Sequence, residues 1–278
     1  MKNHPATFAD YKDPPVCEVV LSIQYERITK LRTPHLGFLW GKYKETRGLV
    51  KVQEHHPLPQ AYELFGLERP APRIRLSTIP EVPRCWFLSE DETELVQVQQ
   101  DRFAHNWRRK QLGTRYPKYR TIRKAFLEDL DIFEAFLREN SLGELTPNLC
   151  EITYVNPIPL EAKWNSFGKL HEVLTVVSPK FSDSFLPEPE TVNIELSFVI
   201  PDVDGSPIGR LHVLAQPVPG DINNDAFHLR LTVQGIPAQH DREEIMRILD
   251  LGHEWIVKGF GSITTKSMHK LWGKKNGN

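Results

Sequence analysis

The stretch 191–235, TVNIELSFVIPDVDGSPIGRLHVLAQPVPGDINNDAFHLRLTVQG, decides the fold. Val192, Ile194, Leu196, Phe198 and Ile200 alternate with mostly polar neighbours, Leu211, Val213 and Ala215 repeat the pattern, and Phe227, Leu229, Leu231 and Val233 make a third run. A period of two puts one apolar face on a core, so three successive antiparallel strands are predicted. Asp204-Gly205 joins the first two with the positive φ that tight hairpins need, and residues 221–225 make the next turn. A long helix then closes the meander. Asp241 is its N-cap, Glu244 completes a capping box, and Ile245, Ile248, Leu249, Gly252, Trp255 and Ile256 form its apolar stripe. Gly259-Phe260-Gly261 is expected to end that helix, and a short terminal helix restarts at Thr264.

The same two periods recur upstream. Cys17, Val19, Leu21, Ile23 and Tyr25 predict a strand, and Thr33-Pro34 opens a helix carrying Leu36, Leu39, Trp40 and Tyr43. Residues 47–83 hold six prolines and read as a long surface connection, with a helical turn or two at 60–65; connections of that length often bind something. Residues 85–88 and 95–100 form a hairpin around the acidic turn Glu90-Asp91-Glu92. Ile122, Phe126, Leu130, Phe133, Phe136 and Leu137 predict a helix over 121–140, with Glu128, Asp129 and Asp131 offsetting the dipole at its start. Cys150, Ile152 and Tyr154 make a strand that Asn156-Pro157 breaks, and Trp164, Phe167, Leu170 and Leu174 suggest one more helix. The expected class is α+β: antiparallel sheets with helices packed on one face, an N-terminal half over 1–157 and a C-terminal half over 158–278, the latter a three-strand meander closed by a long helix.

With 278 residues, 40% of them apolar and 26% charged, the chain suits a folded globular protein. A formal net charge of -1 gives the whole no reason to seek polyanions, so such a partner has to meet a local patch. No apolar run approaches the ~20 residues of a membrane span, and the opening MKNHPATFADYKDPP lacks the apolar core of a signal peptide. A cytoplasmic protein without a membrane partner is expected. Cys17, Cys85 and Cys150 are odd in number and far apart, which fits small buried residues of a reducing compartment. His253-Glu254 would need a second histidine where Val257 stands to make a zinc helix, DVDGS lacks the ligands of a calcium loop, and no phosphate-cradling glycine loop is present. Neither a metal nor a cofactor is expected, and no catalytic residue is assigned.

The local patch lies in 101–124. No acidic residue falls between Asp101 and Glu128, whereas Arg102, Arg108, Arg109, Lys110, Arg115, Lys118, Arg120, Arg123 and Lys124 alternate with Phe103, Trp107, Tyr116 and Tyr119. Read as a basic aromatic loop between a strand and a helix, it offers cations to phosphates and rings to unpaired bases. Arg102, Trp107, Arg108, Arg109, Lys110, Arg115, Lys118 and Arg120 are therefore candidate contacts to nucleic acid or to an acidic protein surface. The bland alternative buries Phe103 and Trp107 in the core and pairs the cations with Glu90-Asp91-Glu92. A second candidate is a small-ligand or enzyme site formed by Arg210, His212, His228 and Arg230 on the polar face of the C-terminal strands, although a solvated sheet face explains the same alternation.

Several segments together, PPVCEVVLSIQYE (14–26), HLGFLW (35–40), LVQVQQDRFAHNWRR (95–109), YPKY (116–119), CEITYVNPI (150–158) and LDLGHEWIVKGFGSITTKSMHKLWG (249–273), resemble an uncharacterised family of bacterial proteins distributed sporadically among genomes. The resemblance spans nearly the whole chain and brings no activity or catalytic residue with it. Sporadic occurrence implies a non-catalytic accessory role in a defence or toxin-antitoxin-like system, with protein–protein assembly as the alternative to nucleic-acid contact.

Overall fold

A computed structural model describes residues 10–65, 81–110, 114–159, 164, 166–178, 185–218 and 226–275. In chain order these form β1 (Glu18–Tyr25), α1 (Thr33–Arg47), β2 (Lys51–His55), β3 (Arg84–Leu88), β4 (Glu94–Gln99), β5 (Arg102–Arg108), α2 (Tyr119–Glu139) and β6 (Pro147–Pro159). A 3-10 turn (Phe167–Glu172) precedes β7 (Ile194–Pro201), β8 (Pro207–Val218), β9 (Ala226–Gly235), α3 (Arg242–Ile263) and α4 (Lys266–Leu271). The nine strands of the described residues make one antiparallel sheet in the order β2-β3-β4-β5-β1-β6-β9-β8-β7. The fold is α+β as expected, with the β7-β8-β9 meander packed against α3. No helix among the described residues is long and apolar enough to cross a membrane.

Several elements differ from the sequence expectation. Residues 102–108 are not the start of a loop but a central strand, because Phe103, His105 and Trp107 alternate toward the core while Arg102 and Arg108 point the other way. β2 emerges where only irregular chain was expected, and residues 60–65 hold no helix. β6 runs through Pro157, because beyond Val155 it pairs with β9 alone and no β1 ladder needs the missing N–H. Residues 157 and 158, where the two halves meet, are thus neighbours within one strand. α3 continues through Gly259 and Gly261 to Ile263, while the segment after Trp164 forms only the 3-10 turn. α2 starts at Tyr119, so Glu128, Asp129 and Asp131 stand mid-helix, out of reach of its N-terminal dipole. The expected turn at 221–225 lies outside the described residues.

The connectivity repeats. A first strand, a meander and a helix (β1, β3-β4-β5, α2) are followed by the same set (β6, β7-β8-β9, α3), and each first strand inserts beside the last strand of its meander. The two sets meet where β1 pairs antiparallel with β6, so the sheet reads alike from that seam in either direction. Val16-Cys17-Glu18-Val19 and Leu149-Cys150-Glu151-Ile152 enter the two seam strands with similar residues. The helices carry the repeat too: Arg123 on α2 grips Asp250 on α3 at 2.9 and 3.1 Å, and Arg242 on α3 grips Asp131 and, at 2.5 Å, Glu134 on α2. Arg123 precedes Arg242, and Asp131 precedes Asp250, by the same number of residues, so the two grips are equivalent.

The sheet therefore has two unlike faces. One carries Val19, Leu21, Ile23, Phe103, Ile152, Leu231 and Val233 and is buried under α1, α2 and α3. At about 25 cal/mol per Å² of apolar surface, this layer supplies the main driving force for folding. The other face is polar and is crossed by residues 58–64, which follow β2. There the Gln99 side-chain amide accepts from and donates to the backbone of Leu58, at 2.9 and 3.0 Å. The Gln24 amide does the same with Ala61, at 2.8 and 3.0 Å. Glu63, buried, then takes both Arg210 and His212.

Candidate functional site

Trp107, at the end of β5, is buried on the helix side and meets the Tyr116 ring edge-on at 5.6 Å. The chain reverses over 109–118, held by Arg109, whose N–H donates to the Cys17 carbonyl at 2.6 Å and whose guanidinium reaches the Pro14 carbonyl at 3.3 Å. Lys118 then takes φ 71° and ψ 149°, a backbone conformation that costs a non-glycine residue ~1–3 kcal/mol, and α2 begins at once. That sharp entry delivers Tyr116 and Tyr119 to the same cavity.

The cavity, about 710 Å³, lies between the start of α2, the middle of α3, the end of β6 and residues 10–16. Tyr11, Val16, Leu251, Ile256, Val257 and Phe260 give it apolar walls. Along one wall runs a chain of polar tips: the Tyr116 and Tyr154 hydroxyls lie 2.9 Å apart, and Tyr154 is 2.9 Å from Nδ1 of His253. The Tyr119 ring stacks on His253 at 4.0 Å and 11°, and its hydroxyl donates to Asp250 at 2.7 Å. Burial pushes His253 down to about 4, against the opposing pull of Asp250 and Glu254, so the imidazole is neutral at pH 7. Burial likewise pushes Tyr116 up to about 12 and holds Tyr154 well above the usual phenol range. The strip is thus uncharged and can both donate and accept.

The repeat explains why the cavity forms on this side. Glu134 on α2 occupies the helical position that His253 occupies on α3, counted from the equivalent arginines. Glu134 is held by Arg242, whereas His253 turns to Tyr154 and Tyr119. Of the cations lining the cavity, Lys118 is paired with Asp10 at 2.5 Å, and Arg120 is exposed with no carboxylate partner among the described residues.

The sequence candidates scatter. Arg102 sits in the polar face, 11% exposed, donating to Gln24 at 3.1 Å. Arg108 lies over the Trp86 ring and donates to the Glu92 carbonyl at 3.3 Å, and Lys110 pairs with Glu92 at 3.5 Å. Only Lys118 and Arg120 of that set line the cavity, with Arg115 exposed nearby in sequence. Arg210 and His212 do come together, on Glu63, but His228 opposes Gln216, four residues along β9 from Thr232, the partner of His212, and Arg230 is exposed. Ser197 stands 3.2 Å from Nδ1 of His212, which makes a Ser-His-Glu line with Glu63. Ser197 lies mid-way along an edge strand, not at a strand-to-helix turn that would set a nucleophile beside backbone donors, and Arg210 competes for the carboxylate. The line reads as a latch for residues 58–64. No three His, Cys, Asp or Glu side chains among the described residues gather as metal ligands do.

Tyr154, His253, Tyr119 and Asp250 were not among the sequence candidates. Tyr154 counted only as an apolar strand position, and His253 fell with the zinc motif. The available signal was that two polar-tipped residues, one in a buried strand alternation and one beside Gly252 in an apolar helix stripe, share a core where each needs a partner. No family model matches the chain, and no curated protein or solved structure matches it, so the site is read from its geometry.

Proposed function

We propose that the protein binds a small amphipathic organic anion in the cavity between α2 and α3, with an apolar, ring-bearing body against Val257 and Phe260 and a polar group on the Tyr116–Tyr154–His253 strip. The observation that carries this reading is the cavity itself: concave, largely apolar, and fitted with a few convergent polar groups of perturbed pKa. Arg120 at the lining sets the charge of the ligand. Arg102, Arg108, Arg109 and Lys110 all hold partners within the chain, which leaves them poor candidates for a polyanion contact. Exposed Arg115 and Arg120 keep a narrower form of that contact as the second reading.

Anilinonaphthalene sulfonate, an aromatic body bearing one anion, tests the proposal by fluorescence titration. One saturable site is expected. Val257→Trp, which fills the cavity from a half-exposed position, is expected to abolish it without lowering the unfolding midpoint, and Arg120→Glu to weaken it about two- to fivefold, the scale of an exposed charge contact. Undiminished binding by the Val257→Trp protein would place the dye elsewhere. For the second reading, Arg115→Glu with Arg120→Glu should remove any salt-sensitive affinity for single-stranded RNA or DNA.

A further inference from the structure

We propose that the polar face of the sheet, on the side opposite the cavity, holds a phosphate-class oxyanion between Arg84, Arg102 and Ser22. The strand register assembles the site. Gln24 of β1 opposes Arg102 of β5, which opposes Gln99 of β4; Arg84 is one residue beyond the Cys85–Val98 pair and so stands beside Gln99, with His55 of β2 on its other side. In the adjoining row Ser22 opposes Ala104, Ala104 opposes Gln97, and Gln97 opposes Trp86. Diagonal neighbours on one face of a sheet lie within reach of long side chains, so both guanidinium groups lean over the small residues Ala104 and Ser22.

Three facts make this more than a solvated face. The first is charge: Arg84 has no acidic partner among the described residues, and Arg102 has only Glu151 at 4.0 Å. Arg84 is depressed by its own burial and by the positive charge of Arg102, which shows how closely the two cations approach. The second is unmet hydrogen bonding. Arg84 Nε, Arg102 Nε, Trp86 Nε1 and Ser22 Oγ are all buried without a partner, and Ser22 is only 2% exposed. Each such group costs ~1–3 kcal/mol if nothing answers it, and all four can donate. The third is rigidity: Trp86 is fixed by His55 at 4.0 Å and by Arg84 and Arg108 at 5.4 and 5.6 Å, and Arg102 by Gln24 and the Pro59 carbonyl. Buried donors in excess, two of them cationic and pre-positioned, are the chemistry that recognises a multi-oxygen anion; phosphate offers enough acceptors for all four, and a carboxylate does not.

The full chain, titrated calorimetrically with inorganic phosphate and, at matched ionic strength, with acetate and chloride, tests the site. Saturable binding of phosphate, absent for the other two, is expected. In Arg84→Gln, whose side chain keeps the contact to Gln97, affinity should fall at least tenfold, and in Ser22→Ala several-fold, whereas Lys124→Gln, an exposed change on α2, should leave it unchanged. No saturable phosphate binding by the wild-type chain, or equal binding of acetate, would overturn the proposal. So would phosphate affinity unaltered in both Arg84→Gln and Ser22→Ala. Because Val257→Trp alters only the opposite face, its phosphate titration should match wild type, which keeps this result separate from the cavity's.

Discussion

Asp129 is almost fully buried in the middle of α2, and three groups answer it: Arg47 Nε at 2.8 Å, His105 Nδ1 at 2.7 Å and, on its backbone carbonyl, the Tyr43 hydroxyl at 2.6 Å. Through Arg47 the same knot reaches Glu128 at 3.1 Å, tying α1, α2 and β5 together. Removing one member of a buried ionic network leaves the others uncompensated, so Asp129→Ala is expected to lower unfolding stability by ~3–5 kcal/mol in denaturant titration. Asp129→Asn should cost less, since it keeps an acceptor. His253 makes a pH prediction. Its folded pKa of about 4 lies below the ~6.5 of the unfolded chain, so the unfolded state takes up the proton first as pH falls. Its contribution is therefore complete above about pH 6.5 and is lost between there and pH 4, by up to ~3 kcal/mol. His253→Phe, which cannot titrate, should show a flatter stability curve than wild type in that window and converge with it in shape above pH 7.

The helices and strands were mostly legible, because periodicity survives wherever one face is buried. Three exceptions share one cause: a local signal was weighed without the partner that overrides it. Phe103, His105 and Trp107 alternate as clearly as any strand, yet the surrounding cations drew the eye to a loop. Pro157 breaks only a strand that is paired on both sides, and β6 has lost its β1 partner by then. Gly259 and Gly261 would end an exposed helix, but α3 is pressed so closely to the sheet that glycine is what fits. The tightest point is Gly252, where an added Cβ would stand 2.5 Å from Ile152 Cγ2 and 3.1 Å from Val233 Cγ1. Gly252→Ala should therefore destabilise by ~1–3 kcal/mol despite the better helix propensity of alanine. In α1, a Cβ at Gly37 meets nothing within 4 Å, and Gly37→Ala should stabilise by up to ~1 kcal/mol. Urea midpoints of the two variants moving in opposite directions check both statements.

At the scale of the whole molecule, one sheet with a repeated plan places a core under one face and leaves a polar face that residues 58–64 cross. The repeat was hard to read from sequence, because only the VCEV and LCEI tetrads and the Arg–Asp spacing on the helices preserve it. The cavity was harder still, since it depends on Tyr116, Tyr154 and His253, which are far apart in the chain and meet only when β6 and α3 pack. Glu63 gives the crossing segment its anchor, and Glu63→Gln, which weakens two charge-assisted contacts, should speed hydrogen exchange at residues 58–64 about tenfold or more while leaving α3 unchanged. The cavity is the centre of the functional account, and hydrogen exchange with saturating anilinonaphthalene sulfonate tests it most directly. The account predicts new protection confined to amides of 115–122 and 250–260. Protection spread over β7 and β8, or none at full occupancy of the dye, would contradict it.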